Sequence, residues 1–160
     1  MRDPVHRDSS VEPLELDGRH RLDGHGVADA LRGRFIDEDF HRAREIAGAT
    51  HHFRVVQLPV SLAMPEAARA LTQPLGRKMV TLLEAAEALG VGVVASAPLM
   101  QGRLASGLPA ELRELFPGCT TDAQRALRFA TSLPGVTAAL AGMRRPAHVM
   151  ENSDAWRASV

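Results

Sequence analysis

Two adjacent arginines, Arg144 and Arg145, stand between an apolar run and a proline near the end of the chain. The run Val136 to Leu140 predicts a buried strand, and Pro146 predicts the first turn of a helix, where a missing N–H does no harm. The arginines would then stand beside the free N–H groups of a helix N-terminus. Because those donors and the helix dipole both favour an anion, the sequence predicts a phosphate site in this turn.

The identity of such a phosphate is left open by the residues themselves. Arginine at this kind of position can hold the 2′-phosphate that distinguishes NADP from NAD. A turn with two arginines can equally be an ordinary solvated turn. The strands and helices around the turn therefore decide between a phosphate site and an ordinary turn.

From residue 53 onward the chain alternates between strand and helix patterns. We predict strands at 53–59, 91–95 and 136–140, and helices at 65–71, 78–89, 109–116, 122–133 and 146–156. This order predicts an α/β fold with parallel strands and right-handed crossovers, with 91–95 as the middle strand. Ligands bind at the carboxyl ends of such strands, so the loops 96–103 and 141–146 should form the site.

For residues 1–50 we predict an irregular or poorly ordered segment with one helix near 37–47, and for residues 51–160 we predict the α/β domain.

Lys+Arg and Asp+Glu both total 19, so the chain lacks the basic excess that is typical of nucleic-acid binding. The apolar runs are too short to span a membrane. With Cys119 alone, neither a disulfide framework nor a cysteine metal site is expected, and the composition favours a cytoplasmic protein.

Three segments resemble the last third of an aldo-keto reductase, in the order of that family. The first is a strand that ends in Val56-Gln57, and the second is the loop Ser96-Ala-Pro-Leu-Met-Gln-Gly102. The third runs from Asp122 through Phe129 and ends with Gly142-Met-Arg-Arg145 and Glu151-Asn152. The resemblance covers about residues 51 to 156. It implies a partial TIM barrel, namely three parallel βα units that correspond to strands six to eight of a (β/α)8 barrel, in a truncated chain without the N-terminal half.

The resemblance also implies a cofactor, NADP(H), and an oxidoreductase that reduces aldehydes or ketones. Gln57 would bind the nicotinamide carboxamide, and the backbone of the second segment would wrap the pyrophosphate. The turn with the arginines would hold the 2′-phosphate, and the start of the last helix would line the adenine. The cofactor-binding residues implied in this way are Gln57, Ser96, Ala97, Leu99, Gly102, Gly142, Arg144, Arg145, His148, Glu151 and Asn152.

Two departures from the family pattern limit this inference. The family uses a tyrosine as proton donor, and this chain contains no tyrosine. Ser96 stands where the family has an aromatic ring that stacks on the nicotinamide, and Ala97 stands where it has a serine. Because a positioned acid contributes ~100- to 10,000-fold to such a reaction, we expect no catalytic residue here and no activity from the chain by itself.

Two further hypotheses belong to other classes of function. Because a three-stranded parallel sheet has two unpaired edges, the chain could be a non-catalytic interaction module that pairs through those edges, with a complementary barrel half or with itself. The chain could also be an unrelated small α/β domain whose Arg144-Arg145 loop holds another phosphate. Neither a nucleic-acid nor a membrane partner is expected.

Overall fold

A computed structural model describes residues 35–157 of the 160-residue chain. The prediction for residues 1–34 lies outside the described residues. In chain order the helices and strands are α1 (Ile36–Ala47), a 3₁₀ turn (Gly48–Thr50), β1 (Val55–Pro59), α2 (Glu66–Arg69), β2 (Gln73–Leu75), β3 (Lys78–Val80), α3 (Leu82–Ala88), β4 (Gly92–Ser96), a 3₁₀ turn (Met100–Gly102), α4 (Leu112–Leu115), α5 (Asp122–Ser132), β5 (Val136–Ala139) and α6 (Pro146–Arg157).

The main sheet has three parallel strands in the order β1-β4-β5, which confirms the predicted α/β fold with the second strand in the middle. Val93 and Ala95 of the middle strand are completely buried, as a strand flanked on both sides requires. Within residues 35–157 the strands form an open sheet and no closed barrel.

One face of this sheet carries the helices and the other is left open by the described residues. Helix α3 packs on β4, and α5 packs on β5. On the covered face, Val56 and Leu58 of β1 pack against the core. Their neighbours Val55 and Gln57 alternate to the open face and are exposed.

The prediction of one long helix at 78–89 is wrong in its first part. Lys78–Val80 forms β3, which pairs antiparallel with Gln73–Leu75, and the helix begins only at Leu82. Gly76 has a φ of 62° at the first position of the two-residue turn, which suits a glycine. Met79, expected in the core stripe of the helix, is therefore 52% exposed. The short helices α2 and α4 are also briefer than predicted.

Strand β5 contains an irregularity that the apolar pattern did not show. Val93 pairs with Val136 but Val94 pairs with Ala138, so Thr137 is an extra residue in β5. The Val93 N–H donates instead to the Thr137 hydroxyl, at 3.3 Å. A polar side chain thus replaces one ladder bond between the buried strand and its neighbour.

Helix α3 begins at Thr81 through a reciprocal cap. The Glu84 N–H donates to the Thr81 hydroxyl at 3.2 Å, and the Thr81 N–H donates to the Glu84 carboxylate at 2.8 Å. The Thr81 N–H and the Thr81 hydroxyl both donate to this carboxylate and hold the pKa of Glu84 below its usual range. The cap fixes the point where the hairpin ends and the helix begins.

Thr81→Ala is therefore expected to lower the free energy of unfolding by about 1 kcal/mol, since it removes the acceptor for a first-turn N–H. Thr50→Ala is the matched control, because the exposed Thr50 hydroxyl only donates to the Ala47 carbonyl at the end of a 3₁₀ turn. It should change the free energy by less than about 0.5 kcal/mol. Denaturant unfolding measures both. Equal effects of the two substitutions would contradict the role of the cap.

His51 is buried before β1, with its ring edge-to-face on Phe40 at a centroid distance of 5.0 Å. Burial, and then the positive charges of Arg54 and Arg44, lower the pKa of His51 below its ordinary value. Its Nδ1 atom makes no hydrogen bond within residues 35–157. The folded protein therefore binds a proton at His51 less readily than an exposed imidazole would.

Since the unfolded chain binds a proton at His51 more readily than the folded chain, stability should be full above pH ~6.5 and fall as the pH drops below that value. Denaturant unfolding on both sides of pH ~6.5 measures the loss. His51→Leu should reduce the loss, whereas the exposed His52→Leu should keep it. An unchanged pH dependence in His51→Leu would show that other groups cause it.

Candidate functional site

The parallel register brings three predicted site segments to one edge of the sheet. Pro59 lies beside Ser96, and Ala95 lies beside Ala139, so the carboxyl ends of all three strands are level. The Val60 N–H donates to the Ser96 carbonyl at 3.1 Å, and the Leu140 N–H donates to the Ala95 carbonyl at 2.9 Å. The segments that leave these strands therefore start side by side.

Gln57 lies two residue pairs before the Pro59–Ser96 pair, on the open face of the sheet. It pairs in register with Val94 of the middle strand, which in turn pairs with Ala138 of β5. The Gln57 side chain is exposed. An amide in this position can hydrogen-bond a flat polar group that lies across the strand ends.

The loop after β4 has an unusual backbone at the residues that the sequence singled out. Ala97, Met100 and Gln101 have φ values of 53°, 46° and 56°, and Gly102 has 89°. The left-handed region costs a non-glycine residue ~1–2 kcal/mol, so the surrounding structure must hold this loop in shape. Pro98, which is completely buried, anchors it.

Internal hydrogen bonds occupy several backbone groups of this loop. The Gly102 N–H donates to the Leu99 carbonyl at 2.9 Å, and the Met100 N–H donates to the Ala97 carbonyl at 3.0 Å. The two carbonyls and the Gly102 amide thus close the loop on itself. No atom lies within 4 Å of the place where a Cβ of Gly102 would stand, so the space beside this residue is open.

The turn with the two arginines stands at the start of α6, as the sequence predicts. Gly142, Arg144 and Arg145 are all exposed. The Arg145 carbonyl accepts the His148 N–H at 3.0 Å, which makes Arg145 the residue that caps the helix. The first turn contains no acidic side chain. Two solvent-exposed cations therefore lie beside the positive end of the helix dipole.

The predicted adenine-lining residues share one side of α6, and that side faces α5. His148 and Glu151 are half-buried and Asn152 is 7% exposed. The Gln124 side-chain amide of α5 donates to the Glu151 carbonyl at 3.1 Å and ties the two helices together. The Asn152 Nδ2 atom has no hydrogen-bond partner in the described part of the chain. A ligand that accepts a hydrogen bond there would satisfy a buried donor.

An ion pair that the sequence analysis did not single out, between the buried Arg125 and the partly exposed Asp122, supports this end of the molecule. The Arg125 guanidinium donates to Asp122 and to the Cys119 carbonyl, both at 2.8 Å. The Leu108 N–H also donates to Asp122, at 3.1 Å. This hydrogen bond, with the Arg125 charge, lowers the pKa of Asp122 although burial acts to raise it. The pair thereby holds the segment before α5 onto that helix.

The sequence around α5 contains only local signals for the cap and the ion pair of this helix. Thr121 and Gln124 have the spacing of a capping box, which the structure forms: Gln124 N–H donates to the Thr121 hydroxyl at 3.3 Å. Asp122 and Arg125 are three residues apart on the same helix, the spacing of an ordinary surface pair. The sequence does not reveal that Arg125 of this pair is buried.

No group of three or more histidine, cysteine, aspartate or glutamate side chains among the described residues could hold a metal ion. No helix in the described range is both long enough and apolar enough to cross a membrane. No model of a known protein family matches the chain, and a comparison with curated proteins also gave no match. The case for a function therefore depends on the geometry and on the motifs themselves.

Asp122→Ala is expected to lower the free energy of unfolding by about 1–3 kcal/mol, because it leaves the buried Arg125 guanidinium without its charged partner. The chain offers a matched control in Asp154, which has the same spacing to Arg157 at 3.7 Å but is exposed. Asp154→Ala should cost less than about 1 kcal/mol. Denaturant unfolding of both variants compares them. A small effect at Asp122 would mean that the pair does not hold the segment before α5.

Proposed function

We propose that the carboxyl edge of the sheet binds the phosphorylated nucleotide NADP(H), as in the aldo-keto reductases that the motifs resemble. The observation that carries the proposal is the arrangement at α6. Two exposed arginines precede the helix, and the buried unpaired amide of Asn152 lies on its inward side. The first suits the 2′-phosphate, and the second suits a hydrogen-bond acceptor on the adenine.

The rest of the edge supports the same ligand. Gln57 on the open face suits the nicotinamide amide, and the loop with Ala97, Leu99 and Gly102 lies at the strand ends, where an extended pyrophosphate would pass. Ser96 has no ring to stack on the nicotinamide and leaves room beside it. In this proposal the three strands are the sixth to eighth strands of a (β/α)8 barrel, and their open face belongs to its interior.

The proposed role of this chain is cofactor binding and not catalysis. Reduction of a carbonyl needs a proton donor at its oxygen, and the chain contains no tyrosine to supply the proton as the family does. When bound, the nicotinamide supplies the hydride. The residues of this chain would hold the two ends of the cofactor and orient its ring, and a complementary polypeptide would supply the acid.

A second candidate function is an interaction module. The observation that favours it is the sheet itself: β1 and β5 each pair on one side only, and one face is left open by the described residues. Parallel sheets are normally covered on both faces. A second polypeptide that pairs with an edge would satisfy backbone groups that otherwise depend on water.

The test of the first proposal is a calorimetric titration of the chain with NADPH and with NADH. We expect tighter binding of NADPH, and Arg144→Ala/Arg145→Ala should weaken NADPH binding about 10- to 100-fold, since hydrogen bonds to charged groups are worth ~1.5–3 kcal/mol. The double variant should bind NADH with little change, because NADH lacks the 2′-phosphate.

The control is Arg42→Ala/Arg77→Ala, which removes two exposed arginines from helix α1 and from the turn between β2 and β3. It should leave NADPH binding unchanged. Equal affinity for NADPH and NADH in the natural chain would overturn the proposal. Binding of inorganic phosphate at the arginine turn without any affinity for either dinucleotide would instead favour a small α/β domain with another phosphate ligand.

A further inference from the structure

Helix α1 is held on the domain by contacts near its first turn and along one side. Ile36 is its one buried residue, and the Ile36 N–H donates to the Gln73 side chain of β2 at 3.0 Å. Phe40, one turn further, packs against the same hydrophobic core. Apart from Ala43, every later residue of the helix is exposed. An element with so few buried residues is one that opens before the rest of a fold.

The ring of Phe40 also contacts the ring of His51, which follows α1 and the 3₁₀ turn. The two rings are edge-to-face with centroids 5.0 Å apart, and His51 is only 3% exposed. The His51 Nδ1 atom has no hydrogen-bond partner within residues 35–157. A proton on this atom would be a buried donor without an acceptor, and a buried charge without a partner is strongly unfavourable.

The charged and titratable groups that act on His51 oppose a proton there. After burial itself, the charges of Arg54, Arg44 and His52 lower the pKa of His51. Arg44 acts from α1, and the other two act from the segment that leads into β1. Among the described residues, no carboxylate is one of the groups that shift this pKa. The protonated imidazole is therefore favoured only where water reaches the ring.

Gly48 is a suitable hinge between α1 and His51. The residue ends the helix with a φ of 64°, a conformation that glycine adopts without strain. Residues 48–50 are exposed, and no atom lies within 4 Å of the place where a Cβ of Gly48 would stand. Hinges of this kind lie at the ends of elements, where a few residues absorb the change in backbone angles.

We propose that protonation of His51 releases α1 from the domain while the three-stranded sheet stays folded. Since Phe40 packs on the ring, the imidazole reaches water only when the helix lifts. The ring then takes up one proton from solvent, and the release needs no other reactant. Because His51 precedes β1 at the amino end of the sheet, this device is separate from the proposed nucleotide site at the carboxyl ends.

Hydrogen exchange with mass spectrometry measures this release on the full chain at pH ~7.5 and pH ~5.5, after correction for the chemical effect of pH on exchange. We expect α1 amides to be at least about 10-fold less protected than β4 amides at both pH values, because they exchange through the local opening. Their protection should fall by about three- to tenfold at the lower pH. The upper limit is set by an exposed imidazole with a pKa of ~6.5.

Substitutions of three histidines assign the effect to one group. His51→Leu should make α1 protection independent of pH in this range, and His51→Gln serves the same purpose if leucine disturbs the packing on Phe40. His52→Leu is the matched control from the neighbouring exposed position. His41→Gln is the control from α1 itself, where the exposed imidazole pairs with Asp37 at 3.1 Å. Both controls should keep the fall in protection, and circular dichroism checks that each variant is folded.

Three results would overturn the inference. Equal protection of α1 and β4 would show that the helix leaves only when the whole fold opens. A poorly protected α1 whose exchange does not change with pH would show that its opening leaves His51 buried. A fall in protection that persists in both His51 variants, or that disappears in His41→Gln, would assign the pH dependence to another group.

Discussion

The parallel pairing of β1, β4 and β5 is the constraint on which the rest of this molecule depends. Because the three strands run in one direction and end level, the segments after Pro59, Ser96 and Ala139 must start side by side. The complete burial of Val93 and Ala95 fixes the register, since a slip of one residue would turn these side chains to the open face. The position of Gln57 and of both loops follows from that register.

A polar contact with α5 helps to set where α6 stands. Gln124 both caps α5 and donates to the Glu151 carbonyl, so the start of one helix fixes the course of the next. The pair of Asp122 and the buried Arg125 fastens the preceding segment at the same place. A helix held by polar groups on its inward side leaves its apolar residues outside. The proposed nucleotide site thus depends on the orientation of this one helix.

The strain of the loop after β4 and the unpaired amide of Asn152 belong to the same pattern. A fold keeps left-handed alanine and glutamine residues, or a buried donor without an acceptor, only where neighbouring contacts enforce them. Both features lie in segments that the motifs assign to the cofactor. They are the structural observations that add to the resemblance, because the arginines alone are exposed side chains on a turn.

The sequence by itself determined the order of the three parallel strands, the middle position of the strand predicted at 91–95 and the helix that begins at Pro146, because apolar runs, glycines and prolines act locally. It did not separate Lys78–Val80 from helix α3, since a residue such as Met79 fits a helical stripe as well as a hairpin. The burial of Arg125 and the place of the Thr137 hydroxyl in the sheet were decided only by tertiary structure. These features depend on which elements meet, and residues far apart in the chain carry no local signal of that meeting.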